Sequence, residues 1–304
     1  AGGSLLGVPL HRDGVVCGAI TLVRARNRPA FEQLDRMRLA DLSDYLGFLI
    51  ADLLRERHTT AAIETMRASL LPSALPKIPG VELSTCYQPA ARDVGVGGDF
   101  YDLFTDGGPD GDCSWWAVVG DVCGKDDEAV AVTALTRYGL RALSLDHGSP
   151  AALLGRLNET MIRHDDSERF ATAAVARLQL GETRLSVRLG SAGHPPAALL
   201  RADGSVEFCA GGGAPLGLFR EAGQAEEQLW LSSGDCLLLY SDGVVEARDG
   251  TGRLFGEEGL ALALAEGDGS SAAAVVHSVR QAVAAFHGDR RLADDMVVLA
   301  IRAK

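Results

Sequence analysis

Four short segments place aspartate beside glycine, or beside a second aspartate, at the ends of apolar runs. They are Gly97-Gly98-Asp99-Phe100-Tyr101-Asp102, then Gly120-Asp121-Val122-Cys123-Gly124-Lys125 after the run Trp116–Val119, Tyr240-Ser241-Asp242-Gly243 after the run Leu237–Leu239, and Asp294-Asp295-Met296 before the run Val297–Ala300. Taken singly, Asp-Gly after a strand serves as a turn. Taken together, apolar strands that all end in aspartate can bring several carboxylates to one edge of a sheet. Like charges a few ångströms apart repel, so such a group calls for a cation. An all-oxygen donor set fits Mn²⁺ or Mg²⁺, and the lack of histidine in the clusters argues against zinc. Two such ions about 3.5–4 Å apart make water nucleophilic near neutral pH and offset charge on a phosphoryl group. Glycine beside the acids lets backbone carbonyls approach the ions.

The 304 residues suffice for one large domain or two smaller ones. A formal net charge of −12 argues against nucleic acid as a partner. It is compatible with cation binding, although acids also simply solvate a surface. The six cysteines are scattered, without CxxC or Cys/His spacing, which supports neither a zinc site nor a disulfide framework. Reduced thiols fit a cytoplasmic protein. No signal peptide or membrane-length apolar run is present, so no membrane partner is expected. The start at Ala1 reads as a piece of something longer.

The elements that must position the acids follow from pattern. Ser4–Leu10 and Val15–Val23 flank His11-Arg12-Asp13-Gly14, which predicts a β-hairpin. Leu39, Leu42, Leu46, Leu49 and Leu53 then recur at spacings of three and four, an a/d seam suited to a second helix. Continuing the register puts Glu56 and Thr60 at seam positions before Ile63 and Leu70 restore apolar ones. A helix packed on its own domain and a dimer helix with a weak, switchable segment both fit this pattern. Pro72, Pro76 and Pro79-Gly80 mark a linker. From residue 81 the pattern predicts strands at Trp115–Val119, Ala173–Leu180, Leu185–Leu189, Ala197–Leu200, Cys236–Tyr240 and Met296–Ile301. It predicts helices at Glu128–Leu145, Ala151–His164 and Ser271–Phe286. Tight turns such as Gly181-Glu182-Thr183 favour an antiparallel or mixed sheet flanked by helices, an α+β arrangement, over a doubly wound parallel fold.

The four acidic segments, together with Ser191-Ala192-Gly193-His194-Pro195-Pro196 and the continuation Gly243-Val244-Val245-Glu246, resemble the SpoIIE/RsbU-type branch of the metal-dependent (PPM, type 2C) protein phosphatases across residues 81–304. The resemblance implies a four-layer α-β-β-α sandwich with two Mn²⁺ or Mg²⁺ ions at one end, hydrolysing phosphoserine or phosphothreonine. By position, it implies that Asp121 bridges both ions with help from the Val122 carbonyl. Asp99 then binds one ion, and Asp242 and Asp294 the other. Asp102 and Asp295 are candidates for supporting positions or a third ion. The implied substrate is a phosphorylated anti-sigma-factor antagonist of the STAS type, in a pathway that regulates a sigma factor. Residues 1–54 resemble the last strands and final helix of a GAF sensor domain, through Gly7-Val8-Pro9-Leu10, Gly18-Ala19-Ile20-Thr21-Leu22 and Phe31 to Leu54. That fragment lacks most of a ligand pocket, so no small-molecule binding is expected. Residues 55–80 read as a helical linker that carries a signal, through a homodimer, to the phosphatase.

The chain departs from the family pattern in places. Asp126 replaces the usual glycine after Gly124-Lys125, which adds negative charge and removes backbone freedom. Ser191 stands where asparagine is common. Arg92 is the nearest candidate for gripping a phosphate, and also reads as a solvent-facing arginine. His194 reads either as an acid for the leaving alkoxide or as a turn residue before two prolines. Two rival functions are a docking module of the same fold without turnover, and a nucleotide-dependent kinase. The first is opposed by retention of all four candidate ligands, and the second by the absence of a P-loop or a kinase glycine-rich loop.

Overall fold

The computed structural model describes residues 3–12, 15–40, 42–43, 72, 74–90, 98–107, 114–124, 126–146, 148–164, 169–181, 183–209, 211–220, 223–288, 290 and 292–304. The chain divides into two compact units, Ala1–Ile63 and Glu64–Lys304.

In the first unit β1 (Ser4–Arg12) pairs antiparallel with β2 (Val15–Arg24), with Ser4 opposite Arg24, as the alternating apolar runs predict. Asp13 and Gly14 lie outside the described residues. Helix α1 covers residues 33–40 and is helical again at 42–43. Leu39 is buried and Leu42 half exposed. The rest of the seam (Leu46, Leu49, Leu53, Glu56, Thr60, Ile63 and Leu70) lies outside the described residues.

The second unit contains two five-stranded antiparallel sheets. The first has the order β10-β7-β6-β5-β4, and the second β3-β12-β11-β8-β9. The strands are β3 (Val81–Gln88), β4 (Phe100–Thr105), β5 (Trp115–Val122), β6 (Ala171–Leu180), β7 (Leu185–Ala192), β8 (Ala197–Leu200), β9 (Val206–Cys209), β10 (Ala225–Leu231), β11 (Cys236–Tyr240) and β12 (Met296–Ala303). The central strands read as unbroken apolar runs because both faces are covered. In β11, Leu237 and Leu239 face the core between the sheets, whereas Cys236, Leu238 and Tyr240 face the helices behind. In β5, Ala117 and Val119 face the inter-sheet core, whereas Trp116, Val118 and Val122 face the other helical layer.

Helices α2 (Asp127–Leu143) and α3 (Pro150–His164) cover the first sheet through Leu140, Leu153, Leu157 and Met161. Helices α4 (Asp242–Val245), α5 (Gly256–Glu266) and α6 (Ala272–His287) cover the second through Val244, Leu260, Val275 and Val279. The result is the expected α-β-β-α order. Start signals are local: Asp126 accepts from Ala129 N and caps α2, Ser271 accepts from Ala274 N and caps α6, and Pro150 opens α3.

The pattern-based reading missed β3, β4, β9, β10, the short α4 and α5. Strand β10 is an edge strand whose exposed residues include Glu226 and Glu227, so it carries little apolar signal. Helix α5 begins with glycine and holds another at Gly259, which masks its periodicity. Helix α2 starts one residue earlier than expected and stops two earlier, at Leu143.

Leu239 is fully buried at the centre of the inter-sheet core. Leu239→Ala is expected to destabilise the second unit by about 2–5 kcal/mol, read as a lower urea midpoint with an unchanged slope.

Candidate functional site

Two strand registers converge on one end of the sandwich. In the first sheet Phe100 on β4 stands opposite Gly120 on β5, so the next pair outward is Asp99 and Asp121. In the second sheet Tyr240 on β11 stands opposite Val298 on β12. Chain continuation places Ser241 and Asp242 beside the segment Asp294-Asp295-Met296. Asp99, Asp121 and Asp242 each offer a carboxylate oxygen, and these oxygens all lie within 4.8 Å of one another.

The close approach depends on Gly98. Val122 N–H donates to the Gly98 carbonyl at 3.2 Å. A β-carbon at position 98 would stand 2.0 Å from the Val122 carbonyl oxygen and 2.5 Å from Asp121 Oδ1. Any side chain there displaces the loop that carries the candidate ligands. Gly243 is constrained the same way, since a β-carbon would stand 1.8 Å from the Asp295 carbonyl oxygen.

The electrostatics are dominated by burial and by the charges of neighbouring acids. Burial raises the Asp99 carboxyl well above the usual range, and the charges of Asp121, Asp242 and Asp295 raise it further, against a hydrogen bond from Ser241. Burial, then Asp242 and Asp294, push Asp121 up to about 7. Asp99 Oδ2 is buried with no hydrogen-bond partner among the described residues. A buried carboxylate in a group of three acids whose oxygens lie within 4.8 Å of one another fits a hard divalent cation.

The other candidates lie outside this group of three. Asp294 is exposed and accepts from Asp295 N at 2.9 Å, while its charge reaches Asp121. Asp295 is buried, accepting from Tyr87 Oη and from Ala90 N at 3.0 Å. Asp102 points under α2, where Arg141 binds it through Nε at 2.6 Å and Nη2 at 2.8 Å, and Arg137 Nε lies at 3.0 Å. Two guanidinium groups thus hold Asp102 outside the group of three. Arg92 lies outside the described residues.

His194 is 4% exposed. Its Nδ1 lies 2.8 Å from Thr172 Oγ1 and its Nε2 lies 3.0 Å from the Tyr240 carbonyl. A carbonyl only accepts, so Nε2 carries the hydrogen and Nδ1 accepts from the hydroxyl. Burial lowers the imidazole to about 4 and keeps it neutral. With both nitrogens engaged, it has no proton positioned for a leaving alkoxide, which favours the turn-residue reading over the acid one.

Residue-pattern reasoning also passed over Ser241 and Arg169. Ser241 is fully buried: its Oγ accepts from Val297 N at 2.9 Å, and its hydroxyl lowers the Asp99 carboxyl against the effect of burial. Its place between Tyr240 and Asp242 was the available signal. Arg169 donates to the Cys123 carbonyl at 3.0 Å and pairs with Asp126 and Glu128. Nothing in the sequence marks it.

The sequence profile described as Stage II sporulation protein E (SpoIIE) matches residues 111–304. Phosphoserine phosphatase RsbU of Bacillus subtilis is 24% identical, over 79% of this chain and 68% of its own length. Protein IcfG of Synechocystis sp. is 26% identical over 64% of this chain, and the match spans about a third of IcfG, 34%. The SiaA-PP2C domain of Pseudomonas aeruginosa superposes with a TM-score of 0.66 over 84% of this chain and 99% of that domain, at 20% identity, a likeness of fold. The chain belongs to the SpoIIE family, and its larger unit shares the fold of a PP2C phosphatase domain.

Proposed function

We propose that this chain is a metal-dependent protein phosphatase that hydrolyses phosphoserine or phosphothreonine with the help of two Mn²⁺ or Mg²⁺ ions. The observation that carries the reading is the convergence of Asp99, Asp121 and Asp242 oxygens within 4.8 Å. Asp121 would bridge the two ions with the Val122 carbonyl beside it, Asp99 would hold one, and Asp242 with Asp294 the other. When bound, such ions bring the pKa of water to near neutrality and offset charge on the phosphoryl group. The chain's own residues do the positioning. Gly98 leaves room for the Val122 carbonyl, and buried Ser241 lowers the Asp99 carboxyl toward its ionised form.

The substrate proposed is a phosphorylated anti-sigma-factor antagonist of the STAS type, supported by the likeness to RsbU. Residues 1–54 are proposed as the end of a GAF-like sensor, 55–80 as a helical linker that pairs in a homodimer, and 81–304 as the phosphatase. Among the described residues no helix is long and apolar enough to cross a membrane. We place the protein in the cytoplasm, working on a protein rather than on nucleic acid.

Asp121→Asn is expected to lower Mn²⁺-dependent turnover of a phosphorylated STAS protein by more than about a hundredfold, since loss of even an outer partner of a metal ligand costs 10–100-fold. Equal turnover by both proteins sinks the catalytic reading.

The acid cluster also predicts a pH signature. Asp121 titrates near 7 when folded, above its usual value of 3.8, so its stabilising contribution is present at low pH and lost as pH rises through about 7. His194 runs oppositely, gaining stability as pH rises from about 4 to its usual 6.5. Above 6.5 only the loss remains. In EDTA the thermal midpoint is therefore expected to fall between pH 6.5 and 8. Mn²⁺ at a hundred times its Kd should raise stability by about 2.7 kcal/mol and flatten the slope. Identical slopes with and without Mn²⁺ would count against a metal at this cluster.

A further inference from the structure

The proposed ligands come from two different sheets. Asp99 and Asp121 belong to the first, and Asp242 to the second. Their spacing therefore depends on what fixes the gap between the sheets at this end. The segment Gly193-His194-Pro195-Pro196 is the crossover itself, running from the end of β7 in the first sheet to the start of β8 in the second.

Its histidine touches both sides. Thr172, which meets Nδ1, stands directly opposite Asp121 in the β5–β6 register, so the two side chains share a face of the sheet. Tyr240, which meets Nε2, ends β11 two residues before Asp242. The Tyr240 carbonyl needs this bond. Successive residues of an antiparallel strand direct their polar groups alternately to the two neighbours. Ser241 N–H donates to Val297 on β12, so the Tyr240 carbonyl faces the β8 side. There the ladder stops at Leu238 opposite Ala198, and the preceding Pro196 and Pro195 have no N–H to give. The imidazole N–H supplies the missing donor. The turn that presents it is fixed as well. Gly193 has φ +66° and donates to the Gly212 carbonyl at 3.1 Å, and Ser191 Oγ donates to the His194 carbonyl at 3.3 Å.

Resting on the metal-dependent reading above, we infer that His194 is a positioning residue: a neutral, buried bridge that sets the separation of Asp121 from Asp242 and so the affinity of the site for divalent ions. It touches neither ion nor substrate and transfers no proton.

The test is Mn²⁺ binding to the full chain, measured by calorimetry and by the electron paramagnetic resonance signal of free Mn²⁺, independently of turnover. His194→Ala is expected to weaken Mn²⁺ binding about 10–100-fold, the range for partners that orient metal ligands. Thr172→Val should weaken it less. His194→Gln keeps an N–H for the Tyr240 carbonyl and should recover part of the loss. Leu264→Ala, at a buried core position on α5, should lower the thermal midpoint without moving Mn²⁺ affinity, which separates positioning from general stability. The acid limb of the rate profile should stay in place in His194→Gln. Unchanged Mn²⁺ affinity in folded His194→Ala overturns the inference. If that variant does not fold, unchanged affinity in both Thr172→Val and His194→Gln overturns it. A wild-type chain that binds no Mn²⁺ overturns the metal reading itself.

Discussion

Three carboxylates held within 4.8 Å of one another at the end of a closed sandwich set the terms for everything around them. At an effective dielectric of about 20, two unit charges 4 Å apart repel by about 4 kcal/mol, and desolvation adds to that. A fold that keeps such a group must impose it from outside the group. Here the imposition comes from hydrogen-bonded ladders on either side, each sheet buried on both faces, so that neither β5 nor β11 can slide without exposing a run of apolar side chains. The acids respond in the way available to them, by binding protons: Asp121 rises to about 7 and Asp99 well above its usual range. A divalent cation removes the same strain without a proton, which is why the cluster makes physical sense as a metal site.

The treatment of the other buried acids sharpens the contrast. Asp102, 1% exposed, is met by two arginines from α2, with Arg141 stacked near Phe104 and Arg137 near Tyr138. Asp235 accepts from Ala202 N, Ser232 N and Arg201, tying the β8–β9 turn to the start of β11. Asp295 takes the Tyr87 hydroxyl and a backbone N–H. Each of these is neutralised or fully hydrogen-bonded by the protein itself. The charges that act on Asp99 and Asp121 are mainly those of further acids, and Asp99 Oδ2 keeps no partner among the described residues.

This contrast also explains what could be read in advance. The inward strands were legible because covering both faces leaves long apolar runs, and Asp99, Asp121 and Asp242 were legible because each terminates or adjoins such a run. The fates of Asp102 and Asp295 were not, since they depend on Arg137, Arg141 and Tyr87, which are 35, 39 and 208 residues away in the chain. His194 was conspicuous but ambiguous: the motif Gly-His-Pro-Pro announces a turn, whereas its two partners, Thr172 on β6 and Tyr240 on β11, come from different sheets far apart in the chain. Edge strands β9 and β10 were lost because half-exposed backbone tolerates Glu207, Glu226 and Glu227.

The substitution at Asp126 can be weighed in the same terms. From sequence it added charge beside the proposed ions and took away a glycine's freedom. Its φ of −103° lies in extended backbone open to any residue, so no freedom is lost. The carboxylate caps α2 at Ala129 N and pairs with Arg169, and the first of these holds it below the usual carboxylate range. Arg169 in turn reaches over Gly124, where a β-carbon would stand 1.9 Å from its Nη1, to grip the Cys123 carbonyl. The added charge is thus directed at a helix end and a guanidinium rather than at the cluster. The freedom that matters has moved to Gly124, whose φ of +110° keeps the loop after Asp121 open to the arginine. The segment that follows Asp121 and Val122 is thus held from behind, at the Cys123 carbonyl, by an arginine that pairs with Asp126. That arrangement keeps the Asp126 charge turned away from the three clustered acids.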